Sequence, residues 1–257
     1  MVSNTVIQYT SALTKTQKQI LSKPDENGYY NIVIGGLNVF NSVGEYYTLN
    51  GAKKFFERNS VLMRRVKRGL LRGELGHPKR MPKETLSQFI SRLPYIDEKN
   101  VCVHYKDIYL ERTGSEKDPV IIKANLKPSG PYGNVLKESL ENEDENVAFS
   151  IRSITNNALV NGVVIKNVVS IYTWDYVNEP GISKATQWNE VGLETIKFKN
   201  NKIGIVDLDD KIIKLEDLRE AIKETKNISN EAHDELVNLY NFIKKNNNLP
   251  NFKEWLK

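Results

Sequence analysis

Val147-Ala148-Phe149-Ser150-Ile151-Arg152-Ser153 runs apolar into a serine and meets an arginine two residues later. Its residue types predict a strand over 147–154 that carries Ser150. Upstream, 101–111 (VCVHYKDIYLE) alternates and reads as a strand. A further strand over 120–126 is closed by the turn-rich Lys127-Pro128-Ser129-Gly130-Pro131-Tyr132-Gly133. Downstream, 163–177 is apolar and β-rich and stops at Asn178-Glu179-Pro180-Gly181. Nearer the start, 29–40 (YYNIVIGGLNVF) is a strand pattern in which Gly35-Gly36 predicts a bulge or bend. Helical spacing appears over 52–67, over 82–93 with Pro82 near the first turn, and over 134–142. From Lys214 the pattern becomes helical, with LEDLREAIKET followed by NEAHDELVNLYNFIKK and Ser229 placed as the second helix's N-cap. The expected fold is α+β and mainly β, with one domain over 1–209 and a helical tail over 210–257.

Composition narrows the class. A chain of 257 residues can bury a sizeable core. No apolar run reaches the length of about 20 residues that spans a bilayer, and the start lacks the pattern of a secretory signal. A single cysteine, Cys102, excludes an intrachain disulfide and a cysteine-rich zinc site. These features predict a reduced, cytoplasmic-type protein with no membrane association. The net charge of +5 is modest, but Arg64, Arg65, Lys67, Arg68, Arg72, Lys79, Arg80 and Lys83 gather around His77, whereas 138–145 is acidic. A basic neighbourhood of this kind suits an acidic peptide or nucleic acid, or is simply a solvated face.

A serine hydroxyl becomes a competent nucleophile only when a base takes its proton and a third group orients that base. The chain offers three histidines. His233 lies in the polar tail and is expected at the surface. His104 alternates with Cys102 and Lys106 on a strand. His77, between Gly76 and Pro78 in Arg72-Gly73-Glu74-Leu75-Gly76-His77-Pro78, is the best placed to present its ring from a rigid loop. The chain shows no P-loop, G-x-G-x-x-G, H-E-x-x-H, C-x-x-C or G-x-S-x-G elbow. No metal-ligand cluster or cofactor motif is present, so neither is expected. Local chemistry therefore leaves a Ser–His peptidase as one reading among several.

The order of segments resembles the prohead core proteases of T-even and giant tailed phages, relatives of herpesvirus assemblin. The likeness covers most of the first 190 residues. Gly36-Leu37-Asn38-Val39-Phe40-Asn41 leads through a basic helix to Gly73-Glu74-Leu75-Gly76-His77-Pro78, similar to the family's Gly-Glu-Leu-x-His-Pro. The loop Ser129-Gly130-Pro131-Tyr132-Gly133 precedes a family-like Ser-x-Arg at Ser150-Ile151-Arg152. An Asp-x-Val-x-x-Pro segment falls on Asp175-Tyr176-Val177-Asn178-Glu179-Pro180. Ser153 stands where the family usually has Gly.

The resemblance implies an assemblin-like antiparallel β-barrel surrounded by helices, with the protease domain over 1–209. It implies Ser150 as nucleophile, His77 as general base and Asp175 as the third member, with His104 as its rival. Backbone N–H groups near Ile151 and Arg152 would hold the oxyanion. Cleavage after Glu is implied, with Arg152, Lys79 and Arg80 as candidates to bind that carboxylate. The implied partners are phage scaffold and major capsid precursor proteins, met inside the assembling prohead in the host cytoplasm. Self-association is left open, and nucleic acid is not an expected partner. Ser229-Asn230-Glu231 matches the family's small-x-Glu sites, so the resemblance implies self-cleavage after Glu231 within 210–257, a removable or scaffold-binding tail. Two alternatives remain: a basic structural or nucleic-acid-associated capsid protein without catalysis, and an inactive homologue kept as a scaffold.

Overall fold

The computed structural model describes residues 23–41, 44–112, 114–115, 117–160, 162–178, 205–206, 215–225 and 230–247. Their elements run β1 (Tyr30–Leu37), β2 (Val39–Phe40), β3 (Tyr46–Tyr47), α1 (Leu49–Ala52), a 3₁₀ turn (Lys53–Phe56), α2 (Val61–Lys67), β4 (Arg72–Glu74) and α3 (Leu86–Arg92). They continue with β5 (Val101–Arg112), β6 (Val120–Pro128), α4 (Gly133–Glu141), β7 (Ala148–Val160), β8 (Val163–Val177), β9 (Ile205–Val206), α5 (Leu215–Thr225) and α6 (Asn230–Asn247).

Alternation does in space what it implied in sequence. Val120, Ile122, Ala124 and Leu126 of β6 are all buried, as are Tyr30, Ile32 and Ile34 of β1. β1, β6, β5 and β4 form one sheet in that order, and every pairing in it is antiparallel. Its register shifts between Val33 and Gly35, where the glycine pair predicted a bulge. The second sheet has the order β2-β3-β8-β7-β9, built around the long β7–β8 hairpin. β3 joins β8 in parallel. The described strands are therefore two open sheets, and the expected closed antiparallel barrel is not formed among them. A single bridge among the described residues, between Leu75 and Tyr176, links the end of β4 to β8.

The helices depart from their predicted bounds for local reasons. The continuous helix over 52–67 is broken, and the Ser60 hydroxyl restarts it by accepting the Met63 N–H at 3.1 Å. α3 starts at Leu86 rather than near Pro82, because Thr85 and Gln88 form a capping box.

Two apolar clusters hold the molecule together. The larger lies between the sheets and includes Ile34, Tyr105, Ile122, Phe149 and Trp174, with Leu62 and Val66 of α2. The second joins Phe89, Ile90 and Leu93 at α3 to Ile154 and Tyr172 of the hairpin. Leu218 and Ala221 of α5 and Leu236 and Leu239 of α6 complete it, so the tail helices share a core with the segment that follows His77. No helix among the described residues is long and apolar enough to cross a membrane.

Candidate active site

The β7–β8 ladder sets Ser150 directly opposite Asp175. Directly paired residues share a sheet face, and so do residues two apart on one strand. Ser150, Arg152 and Asp175 therefore belong to one face, and a register irregularity between Arg152 and Ser153 bends β7 beside them.

β4 brings the histidine to that face, and two glycines allow it. A Cβ at Gly73 would run into the Trp174 carbonyl oxygen, so only glycine lets β4 lie this close to β8. The next residue, Glu74, donates its backbone N–H to Asp175 Oδ1 at 2.9 Å. Gly76 donates its N–H to the Tyr176 carbonyl at 2.7 Å. Its φ of +76° lies in the left-handed region, where glycine carries no steric penalty. The chain turns there, and the His77 ring meets Asp175, with Nδ1 to Oδ2 at 2.7 Å.

Asp175 is fully buried, and its two oxygens accept four hydrogen bonds. Oδ1 takes the Glu74 N–H and Arg152 Nη2, the latter at 2.8 Å. Oδ2 takes His77 and Arg152 Nε, also at 2.8 Å for the arginine. Arg152 reaches further, with Nη2 lying 3.0 Å from Glu74 Oε1 and Nη1 donating to the Tyr95 carbonyl at 3.1 Å. Glu74 Oε1 also accepts the Asp97 N–H at 2.9 Å. Burial works against the Asp175 charge, yet Arg152 and His77 outweigh it and hold this carboxyl below the usual carboxylate range. For Glu74, burial and the charge of Asp175 prevail over Arg152 and the Asp97 N–H and push its carboxyl up.

The ionised Asp175 fixes the chemistry of the imidazole. Beside it, Nδ1 carries the proton and donates it. In the neutral ring Nε2 then keeps its lone pair as a base. The His77 side chain retains 23% of its exposure, so its ring stands between a dry carboxylate and solvent. Ser150, half-buried, lies on the same face.

His104 is on β5 opposite Arg72, and its ring nitrogens face the Gly69 carbonyl at 3.2 Å and the Tyr29 hydroxyl at 3.4 Å. Its bonds do not reach Asp175. Arg152 is fully buried with its guanidinium bound to Asp175, Glu74 and Tyr95, which corrects its expected place at a substrate carboxylate. Lys79 is exposed, and Arg80 Nε donates to the Glu84 carbonyl. His233, expected at the surface, is part-buried with Nδ1 at 3.0 Å from the Ile222 carbonyl, because α6 packs on α5. The basic cluster is partly turned inward, as Arg65 reaches the Tyr172 carbonyl and Glu235. Cys102 is buried, and burial together with the charge of Asp175 pushes its thiol up to about 12, so it is no rival nucleophile. Among the described residues no cluster of His, Cys, Asp and Glu is arranged to hold a metal ion. Of the Asp-x-Val-x-x-Pro segment, Glu179 and Pro180 lie outside the described residues.

Sequence reasoning gave Glu74 no role, although it stands inside the quoted Gly-Glu-Leu-x-His-Pro segment. A lone Glu on a short apolar-flanked strand beside a candidate base is the signal that would have found it.

The Peptidase S80 family model matches residues 7–242. The chain is 35% identical over 198 residues to the capsid maturation protease of Pseudomonas phage phiKZ, covering 75% of this chain and 73% of that relative. No solved structure matches the chain. A family match over most of the sequence and a relative of this similarity establish that the chain belongs to the Peptidase S80 family.

Proposed function

We propose that the protein is a serine endopeptidase that cuts phage scaffold and capsid precursor proteins after glutamate during prohead maturation. One observation supports this above the rest: the 2.7 Å contact of His77 with buried Asp175, formed on the face to which the ladder assigns Ser150. In this reading Ser150 Oγ attacks the scissile carbonyl while His77 Nε2 takes its proton. Backbone N–H groups near Ile151 and Arg152 stabilise the oxyanion, and His77 returns the proton to the leaving amine. Water then hydrolyses the acyl-enzyme with His77 again as base. Asp175 holds the imidazolium that forms on each passage. Lys79 and Arg80 are the cations proposed to meet the substrate glutamate.

The same reading places the enzyme inside the assembling prohead in the host cytoplasm, acting on scaffold and major capsid precursors. It also keeps 210–257 as a helical, removable or scaffold-binding tail, from which self-cleavage after Glu231 releases residues 232–257. Glu231 is in the first turn of α6 and Ser229 lies outside the described residues, so cleavage there requires the start of that helix to open. Mass spectrometry of active wild-type protein is expected to find a fragment ending at Glu231, and its absence removes the tail proposal.

The function is tested by co-expression with a scaffold or capsid precursor, comparing wild type with Ser150→Ala and His77→Ala. Cleavage is expected in the wild type alone, with new C-termini at Glu. Cleavage that survives both substitutions contradicts the assignment.

A further inference from the structure

Four charged or ionisable side chains are bonded in a row: Glu74, Arg152, Asp175 and His77. The first three are buried, and a peptidase needs only the last two of the row. Arg152 on its own would neutralise Asp175 and weaken its hold on an imidazolium. With Glu74 ionised, the buried trio carries one net negative charge, which suits the cation that forms on His77. With Glu74 protonated, the trio is neutral and that attraction is lost.

We propose that Glu74 is a positioning residue that acts through Arg152 on Asp175, and that its ionisation sets how strongly the site stabilises the His77 imidazolium. The inference rests on the peptidase reading above. Glu74 is faced by Arg152 from β7, by Asp175 and through it His77 from β8 and the β4 loop, by Cys102 from β5, and by the Asp97 N–H from the loop after α3. Burial pushes its carboxyl up, which brings protonation nearer to the acid side of a working range. Glutamine at this position keeps the shape and imitates the protonated acid.

The test compares kcat/KM of full-length wild type and Glu74→Gln on a Glu-containing peptide across pH. At neutral and alkaline pH the variant is expected to lose about tenfold or more, mostly in kcat. The ratio of wild type to variant should then fall toward one as the pH drops and Glu74 protonates in the wild type. Glu74→Asp should restore the pH-dependent ratio in part. A ratio that is constant with pH, or equal to one throughout, overturns the proposal, because a purely structural role scales activity evenly.

A second readout does not need turnover. In full-length Ser150→Ala protein, the proton shared by His77 Nδ1 and Asp175 should resonate far downfield of the amides. Adding Glu74→Gln should move that signal while the His104 and His233 resonances stay in place. An unmoved signal overturns the proposal, even in a protein that is active. A moved signal in a chain whose wild type cuts nothing upholds the charge coupling and sinks the peptidase reading instead.

Discussion

Asp175 receives four donors in a dry site, so its value to the protein lies in being charged and fixed rather than merely polar. Asp175→Asn keeps the shape but places an amide where three side-chain donors converge, and it favours the wrong imidazole tautomer. The expected loss in kcat is roughly 10³- to 10⁴-fold, measured with a peptide substrate. His104→Ala should cost far less, since that ring bonds Gly69 and Tyr29. The two buried carboxylates also act on stability with opposite signs. Asp175 titrates lower in the fold than in the open chain, so its contribution is present above about pH 3.9 and is lost as the pH falls through the folded value. Glu74 titrates higher in the fold, so stability falls as the pH rises from its unfolded value through its folded one. Glu74→Gln should therefore leave Tm at pH 7 unchanged or raised while activity drops, and calorimetry checks it. His77 stood out in the sequence from its Gly-His-Pro loop, whereas Asp175 entered only through the resemblance of its segment to the family's. The place of Arg152 was not legible, because nothing in Ser-x-Arg tells which face of the sheet is dry.

At the scale of elements, the site depends on β4 lying against β8, and a three-residue strand has few bonds of its own to keep it there. Gly73→Ala drives a methyl into the Trp174 carbonyl and should cost about 1–3 kcal/mol in urea unfolding, with a disproportionate loss of activity as Glu74 and His77 shift. The strands were legible because alternation is a direct image of a half-buried sheet. The break before α2 was not, since Ser60 acts as a cap only when the chain ahead of it has already turned. β4 escaped notice because three residues carry no period, and its partner β5 is distant in the chain.

Across the whole molecule, both apolar clusters draw on the β7–β8 hairpin that carries the site, the larger through Phe149 and Trp174 and the second through Ile154 and Tyr172. α3 follows the His77 loop, and the Tyr95 carbonyl beyond it anchors Arg152. The tail helices bury α3, so loosening them should reach the charge row. Leu236→Ala and Leu239→Ala are expected to destabilise by about 2–5 kcal/mol each and to lower activity, as read by urea unfolding and peptide cleavage. The mainly β, α+β class was legible from the sequence, whereas the two open sheets were not. Closure of a sheet is decided by pairings between segments far apart, such as the parallel contact of β3 with β8, which no local pattern records. The central claim is that Ser150 is the nucleophile served by His77. Its most direct measurement is reaction of the full-length protein with a fluorophosphonate, followed by peptide mass mapping. A single adduct on Ser150 that disappears in His77→Ala is the expected result, and an adduct on another residue, or cleavage retained by Ser150→Ala, would contradict it.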